Sequence, residues 1–215
     1  MELTLEIVNF YIDGLNLYNG LKSAGLKKYY WLNLEELSKL LLRPNQKLNQ
    51  IKYFTSIVYP DNNLDNYGLN KYMRQSRYLK ALKTLDSLEI ILGRHQENII
   101  QCNNCGHVTS KYNEKMTDVK IAVEMLKDTF QKNCTTQTLI TGDTDLVPVT
   151  EAIYNLSGIK LIIFAPPYRR NDRLKKYCHF YGKIFTGYFA KAQFPNIIIN
   201  KSGYKIFKPD YWEWI

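Results

Sequence analysis

The sequence predicts an α/β fold, a mostly parallel central sheet flanked by helices. Two observations predict it: short apolar runs alternate with segments of helical period, and 215 residues suffice for one domain with a sizeable core. A content of 45% hydrophobic and 23% charged residues agrees with a soluble globular chain. Strands are expected at 5–12, 50–58, 88–93, 136–141 and 159–164, where the apolar runs lie. Helices are expected over 34–42, 64–85, 115–131 and 145–156, where apolar positions recur three and four apart; Gly158 then suits a C-terminal cap. Residues 94–114 hold neither period for long and read as an inserted loop. The segment 191–215 is rich in aromatic residues and is expected to pack back on a domain spanning 1–190.

Composition narrows the function classes. Twenty-nine Lys and Arg against 20 Asp and Glu give a net charge of +9, which favours a polyanionic partner and salt-sensitive association with nucleic acid. The N-terminus MELTLEIVNFYID has acids where a signal peptide has a basic region, and no apolar run approaches a membrane span, so a cytoplasmic protein without membrane contact is expected. A homodimer is one assembly carried forward, and the sequence does not fix the oligomeric state. Four cysteines, two of them in Cys102-x-x-Cys105, suggest reduced thiols or a metal site rather than a disulfide framework.

The acids carry the chemistry. Asp13 ends the first strand, with Asn16 just after it, and TGDTD places Asp143 and Asp145 just beyond the fourth strand. The C-terminal edge of an open α/β sheet is where ligands bind. Asp118 lies in the first turns of a helix and faces that edge if the helix runs antiparallel to the strands. Singly, these acids read as a turn residue, a first-turn acid favoured by the helix dipole, and helix caps. Jointly they form a cluster whose repulsion a divalent cation relieves, which implies Mg²⁺ or Mn²⁺.

The segments YIDGLNLYN (11–19), EKMTDVKIAVEM (114–125), TLITGDTDLVPVTEAI (138–153) and GIKLIIFAPP (158–167) resemble the NYN domain family, a branch of the PIN-like ribonucleases. LKKYCHFYGKIF (174–185) and the later GYKIFKPDYW resemble the closing part of its bacterial members. The resemblance implies a Rossmann-like PIN/NYN fold and a metal-dependent endoribonuclease. It maps the family's acids onto Asp13, Asp118, Asp143 and Asp145, and its asparagine onto Asn16. Thr144 stands where Ser is common and keeps the hydroxyl. A further family acid falls on Glu124, but six helical positions turn it about 240° from Asp118, so it is left outside the set.

Phosphodiester hydrolysis needs an activated water, neutralised oxygens and a stabilised leaving group, all of which carboxylate-bound metals supply. Asp13 and Asp143 are the first expected ligands, with Asp118 and Asp145 binding directly or through water. Asn16, Thr141 and Thr144 would orient ligands or touch phosphate. For the loop, Cys102, Cys105, His95 and His107 make a candidate structural Zn²⁺ site, with free thiols as the alternative.

Two basic clusters complete the picture. Tyr168 to Lys176 holds Arg169, Arg170, Arg173, Lys175 and Lys176 beyond the fifth strand, and Lys71, Arg74, Arg77, Lys80 and Lys83 recur every third residue along a helix. The first is favoured for RNA contact, and solvated helix faces are the alternative. Seventeen tyrosines offer rings for unpaired bases, although most are better read as packing residues. The expected function is endonucleolytic cleavage of single-stranded or structured RNA, with a non-catalytic RNA-binding module of a larger assembly as the alternative. No GxxxxGK[ST] loop is present, no second aspartate follows Asp13 two residues on, and three histidines poorly supply a His-based nuclease.

Overall fold

A computed structural model of the protein describes residues 4–57, 66–101, 104–106, 108–156 and 158–210, with the backbone alone for 66–68, 95–101 and 108–114. The first half runs β1 (Glu6–Asp13), α1 (Gly14–Ser23), α2 (Leu34–Leu41), β2 (Gln46–Thr55), α3 (Asn66–Leu82) and β3 (Leu88–Leu92). A hairpin of β4 (Arg94–Gln101) and β5 (Val108–Lys115) leads to α4 (Thr117–Gln131), β6 (Thr136–Ile140), α5 (Val147–Asn155) and β7 (Lys160–Ala165). The chain closes with α6 (Asp172–Lys176), β8 (Phe180–Lys183), α7 (Thr186–Lys191), β9 (Ile197–Ile199) and β10 (Lys205–Phe207).

Six strands form one sheet in the order β3-β2-β1-β6-β7-β8, every pair of them parallel. Parallel strands need covered faces, and β1 is accordingly buried from Val8 to Asp13. Alternation divides its side chains: Val8, Phe10 and Ile12 join the core shared with α1 and α2, whereas Tyr11 joins the core shared with α4 and α5. The tail contributes to the first core through Ile198 and Ile206, and Pro195 O accepts a hydrogen bond from Trp31 Nε1 at 2.8 Å. Residues 211–215 of that tail lie outside the described residues.

The strand order reverses between β1 and β6. One half of the sheet grows outward from β1 through β2 to β3, the other from β6 through β7 to β8. At such a switch point adjacent connections leave to opposite faces, so a crevice opens above the carboxyl ends of the two strands. Asp13 and Thr141 stand there.

Several expectations need correction. Residues 94–114 are not a structureless loop: β4 and β5 pair antiparallel from Arg94↔Lys115 to Gln101↔Val108. Their polar sequences, RHQENIIQ and VTSKYNEK, lack the alternation that signals a half-buried strand. The strand expected over 50–58 begins earlier, at Gln46, and ends at Thr55, with position 58 outside the described residues. The helix expected from 64 starts at Asn66, and positions 64 and 65 also fall outside. Helix α1, absent from the sequence reading, follows Asp13 directly. The sixth strand, β8, is only four residues, partly exposed throughout, and so left no apolar run to read.

Candidate metal centre

Asp13 performs two tasks at once. As N-cap of α1 its Oδ1 accepts the Asn16 N–H at 2.9 Å, and its Oδ2 accepts the Thr141 hydroxyl at 2.8 Å. The residue is only 4% exposed. Burial pushes its carboxyl up to about 7; the neighbouring Asp118 and Asp143 push the same way, against the two hydrogen bonds.

Asp143 follows β6 and caps the short 3₁₀ turn Thr144–Leu146, its Oδ1 accepting the Asp145 N–H at 3.0 Å. Its own N–H donates to Thr141 Oγ1 at 3.1 Å, so the buried threonine hydroxyl joins Asp13 to the Asp143 backbone. Asn16 Oδ1 accepts the Gly142 N–H at 2.9 Å, which ties the first turn of α1 to the loop after β6. Asp118 arrives from a third direction. Met116 takes a left-handed conformation (φ 74°) before α4, and the helix start packs so closely on Gly93 that a Cβ there would lie 2.4 Å from Thr117 Oγ1. Lys120 Nζ also donates to Leu92 O at 2.6 Å, pinning this turn to the end of β3.

These three segments converge. Asp13, Asp118 and Asp143 each offer a carboxylate oxygen, and the three atoms lie within 4.8 Å of one another. Three hard oxygen donors could hold a divalent cation and do not suit a soft metal. The separate structural roles hold too: Asp13 and Asp143 are caps and Asp118 is a first-turn acid. Asp145 is exposed and stands outside the trio, contributing its backbone N–H to Asp143. Thr144 is exposed at the same edge.

Glu124 points elsewhere, as its helical phase requires. It pairs with Lys52 Nζ at 2.7 Å, and the same ammonium reaches Asp128 Oδ2 at 2.8 Å. Asp128 also accepts from Tyr11 OH at 2.5 Å, Asn9 Nδ2 at 3.1 Å and Asn133 Nδ2 at 3.1 Å. Burial works against the Asp128 charge, but these donors and Lys52 outweigh it and hold the carboxyl below the usual range. Sequence reading missed this network, which couples α4 to β1 and β2 beneath the trio; a lone lysine in the apolar run of β2 was its available signal.

The basic cluster after β7 is packed against the trio by backbone. A Cβ on Gly142 would lie 1.7 Å from Arg169 O, so only glycine admits this contact. Asn171 Nδ2 donates to Gly142 O at 3.3 Å and Asn171 N–H to Tyr181 OH at 2.8 Å. Arg169 is half-buried, its Nε without a hydrogen-bond partner among the described residues, while Arg170, Arg173, Lys175 and Lys176 are exposed. Arg170 also pairs loosely with Asp172 at 3.4 Å. On α3, Gln75 Nε2 donates to Ser56 O just past β2, so the neighbouring Arg74 stands level with the ligand-binding edge. Arg77, Lys80 and Lys83 lie progressively farther along the chain from it.

Of the four proposed zinc ligands, the structure describes Cys105 and the backbone of His95. His95 pairs in register with Glu114 at the root of the hairpin, whereas Cys105 is exposed in its end turn. Six steps of strand, roughly 20 Å, separate the His95 backbone from that of Gln101. Cys102 and His107 lie outside the described residues. Cys134 is buried and Cys178 half-buried, and burial raises both thiols above their usual range. No helix among the described residues is long and apolar enough to cross a membrane.

Comparison with known proteins bears on this site. The profile of the NYN domain matches residues 8–185, which include all three clustered acids. The 6-hydroxy-3-succinoylpyridine 3-monooxygenase HspA of Pseudomonas putida is 25% identical, over 94% of this chain and 74% of that protein. The crystal structure of a Vibrio parahaemolyticus protein of unknown function superposes with a TM-score of 0.56 at 15% identity, covering 86% of this chain and 96% of that one. This last likeness speaks for the fold alone.

Proposed function

The chain belongs to the NYN domain family, and from that premise we propose that it is an endoribonuclease hydrolysing RNA phosphodiester bonds at Asp13, Asp118 and Asp143, with Mg²⁺ or Mn²⁺ held there. The observation that carries this reading is the convergence of three carboxylate oxygens within 4.8 Å at the switch point of the sheet. A divalent cation bound there would supply a nucleophilic hydroxide near neutral pH and neutralise charge on the phosphate.

The protein's own groups do the rest. Thr141 and the Asn16 N–H each hold one oxygen of Asp13, which fixes the orientation of its carboxylate. Asp13 would be held as a carboxylate beside a bound cation, whose charge would offset the cost of burying it. Asp145 stiffens the loop that carries Asp143. The Thr144 hydroxyl, Arg169, Arg170, Arg173, Lys175 and Lys176 line the approach for the phosphate backbone, with Arg74 and Arg77 as a more distant basic track. Electrostatic attraction of this kind is insensitive to sequence and sensitive to salt.

The test incubates purified protein with end-labelled RNA and matched DNA in Mg²⁺, Mn²⁺ or chelator, beside Asp143→Asn. Metal-dependent RNA cleavage abolished in the variant is the expected result. Binding without cleavage in every condition would instead favour the non-catalytic RNA-binding module. The name of the Pseudomonas putida relative favours one second reading, oxygenation of a hydroxylated pyridine. Reductant-dependent oxygen uptake with such a substrate, in the absence of RNA cleavage, would replace the nuclease reading.

A further inference from the structure

The turn that carries Arg169 is built in an unusual way. Pro166 O accepts the Arg169 N–H at 3.1 Å, closing a four-residue turn with Pro167 and Tyr168 at its centre. Proline followed by a residue at positive φ is the pattern of a type II turn, whose third position belongs to glycine. Here that position is Tyr168, at φ 55°, and the residue is 82% exposed. The fold gains little packing from a tyrosine there, yet tolerates its strained backbone. Strain kept at an exposed residue beside a candidate active site points to a use for the side chain.

The turn is also braced. A Cβ on Gly20 would lie 2.7 Å from Pro166 Cβ and 2.9 Å from Pro167 O, so α1 supports one side. Gly142, between Thr141 and Asp143, supports the other through Arg169 O. Two prolines limit its remaining freedom. Tyr168 is therefore an exposed ring on a braced backbone, one residue from the backbone contact with the trio's own loop and followed by Arg169 and Arg170. A flat π-face beside guanidinium groups is how proteins hold unpaired bases while tracking the attached phosphates.

We propose that Tyr168 is a stacking platform for an unpaired base next to the scissile phosphate, and that it directs the enzyme to single-stranded RNA. The inference rests on the nuclease reading above. A duplex offers no free base face, so the ring discriminates between paired and unpaired substrate rather than among sequences.

Binding is measured in full-length Asp143→Asn protein by fluorescence anisotropy of labelled unstructured RNA, with a blunt RNA duplex as control. A second probe carries 2-aminopurine, whose emission is quenched by stacking. Tyr168→Ala should weaken single-strand binding about five- to hundredfold and relieve the quenching, with duplex binding changed less than twofold. Tyr168→Phe should retain both. Tyr168→Gly should raise the melting temperature while weakening binding, opposite movements that a merely structural residue would not give. Single-strand binding unchanged in Tyr168→Ala, or lost equally for both substrates, overturns the proposal while cleavage by the native protein leaves the nuclease reading standing. Failure of the native protein to bind or cleave RNA overturns both.

Discussion

Asp13 illustrates how one side chain can be read from sequence in two ways that do not exclude each other. A carboxylate before Gly14 reads as a cap, and it is one; it also reads as a metal ligand, and its position in the trio fits. Its titration gives a prediction with a definite sign. Burial holds the folded carboxyl at about 7, above the ordinary carboxylate range, so between about 4 and 7 the folded protein keeps a proton that the unfolded chain has released. Stability of chelator-treated protein should be full at the acid end of that window, fall as pH rises through it, and level off above. Asp13→Asn should flatten the slope and also remove the thermal stabilisation by Mg²⁺ or Mn²⁺ expected of the native chain near pH 8. Thr141→Val tests the support of the same carboxylate: loss of the outer hydrogen bond should weaken metal affinity about 10- to 100-fold by calorimetric titration. What sequence could not tell was direction. Asp143 and Asp145 are two residues apart in a turn, and only the backbone path sends the first toward Asp118 and leaves the second exposed.

Among the elements, legibility followed burial. The runs at β1, β6 and β7 are apolar because the sheet is covered on both faces, and they were readable for that reason. The short β8 lacks that coverage, the hairpin β4–β5 has polar sequences without alternation, and α1 was hidden by Gly14, Asn16, Asn19 and Gly20, poor helix formers of which Gly14 and Gly20 serve close approaches and Asn16 a site contact. Helix α4 depends on a buried charge network for its seat. Lys52→Met should leave Asp128 buried without its cation and destabilise the protein by about 3–5 kcal/mol in urea titration. Glu124→Gln, at the half-exposed end of the same network, should cost much less and leave cleavage within a few-fold of native, whereas Asp118→Asn should abolish it. The loop after β6 makes a sharper case. Gly142→Ala drives a Cβ into Arg169 O and must displace one of the two backbones, costing about 1–3 kcal/mol and lowering RNA affinity together.

For the molecule as a whole, the order β3-β2-β1-β6-β7-β8 brings chemistry from distant parts of the chain to one edge. Asp13 and Asp143 flank the switch point, α4 delivers Asp118 from the far side of the hairpin, and β7 ends beneath the arginine-bearing turn. The net charge of +9 is thus not spread evenly around the acids: Arg170, Arg173, Lys175 and Lys176 are exposed on one side of the trio. If these cations neutralise RNA phosphates, each contributes to the salt dependence of binding by releasing a condensed counterion. For single strands the logarithmic slope changes by about 0.7 per phosphate contact. Replacing Arg173, Lys175 and Lys176 with glutamine should therefore make the slope shallower by about 2 and weaken binding for all RNA sequences alike. The same triple change should leave the melting temperature near native, since all three side chains are exposed. A slope equal to that of the native protein would mean that the excess charge serves solubility alone, and that RNA reaches the acids by another route, with the Lys71–Lys83 face the next surface to neutralise.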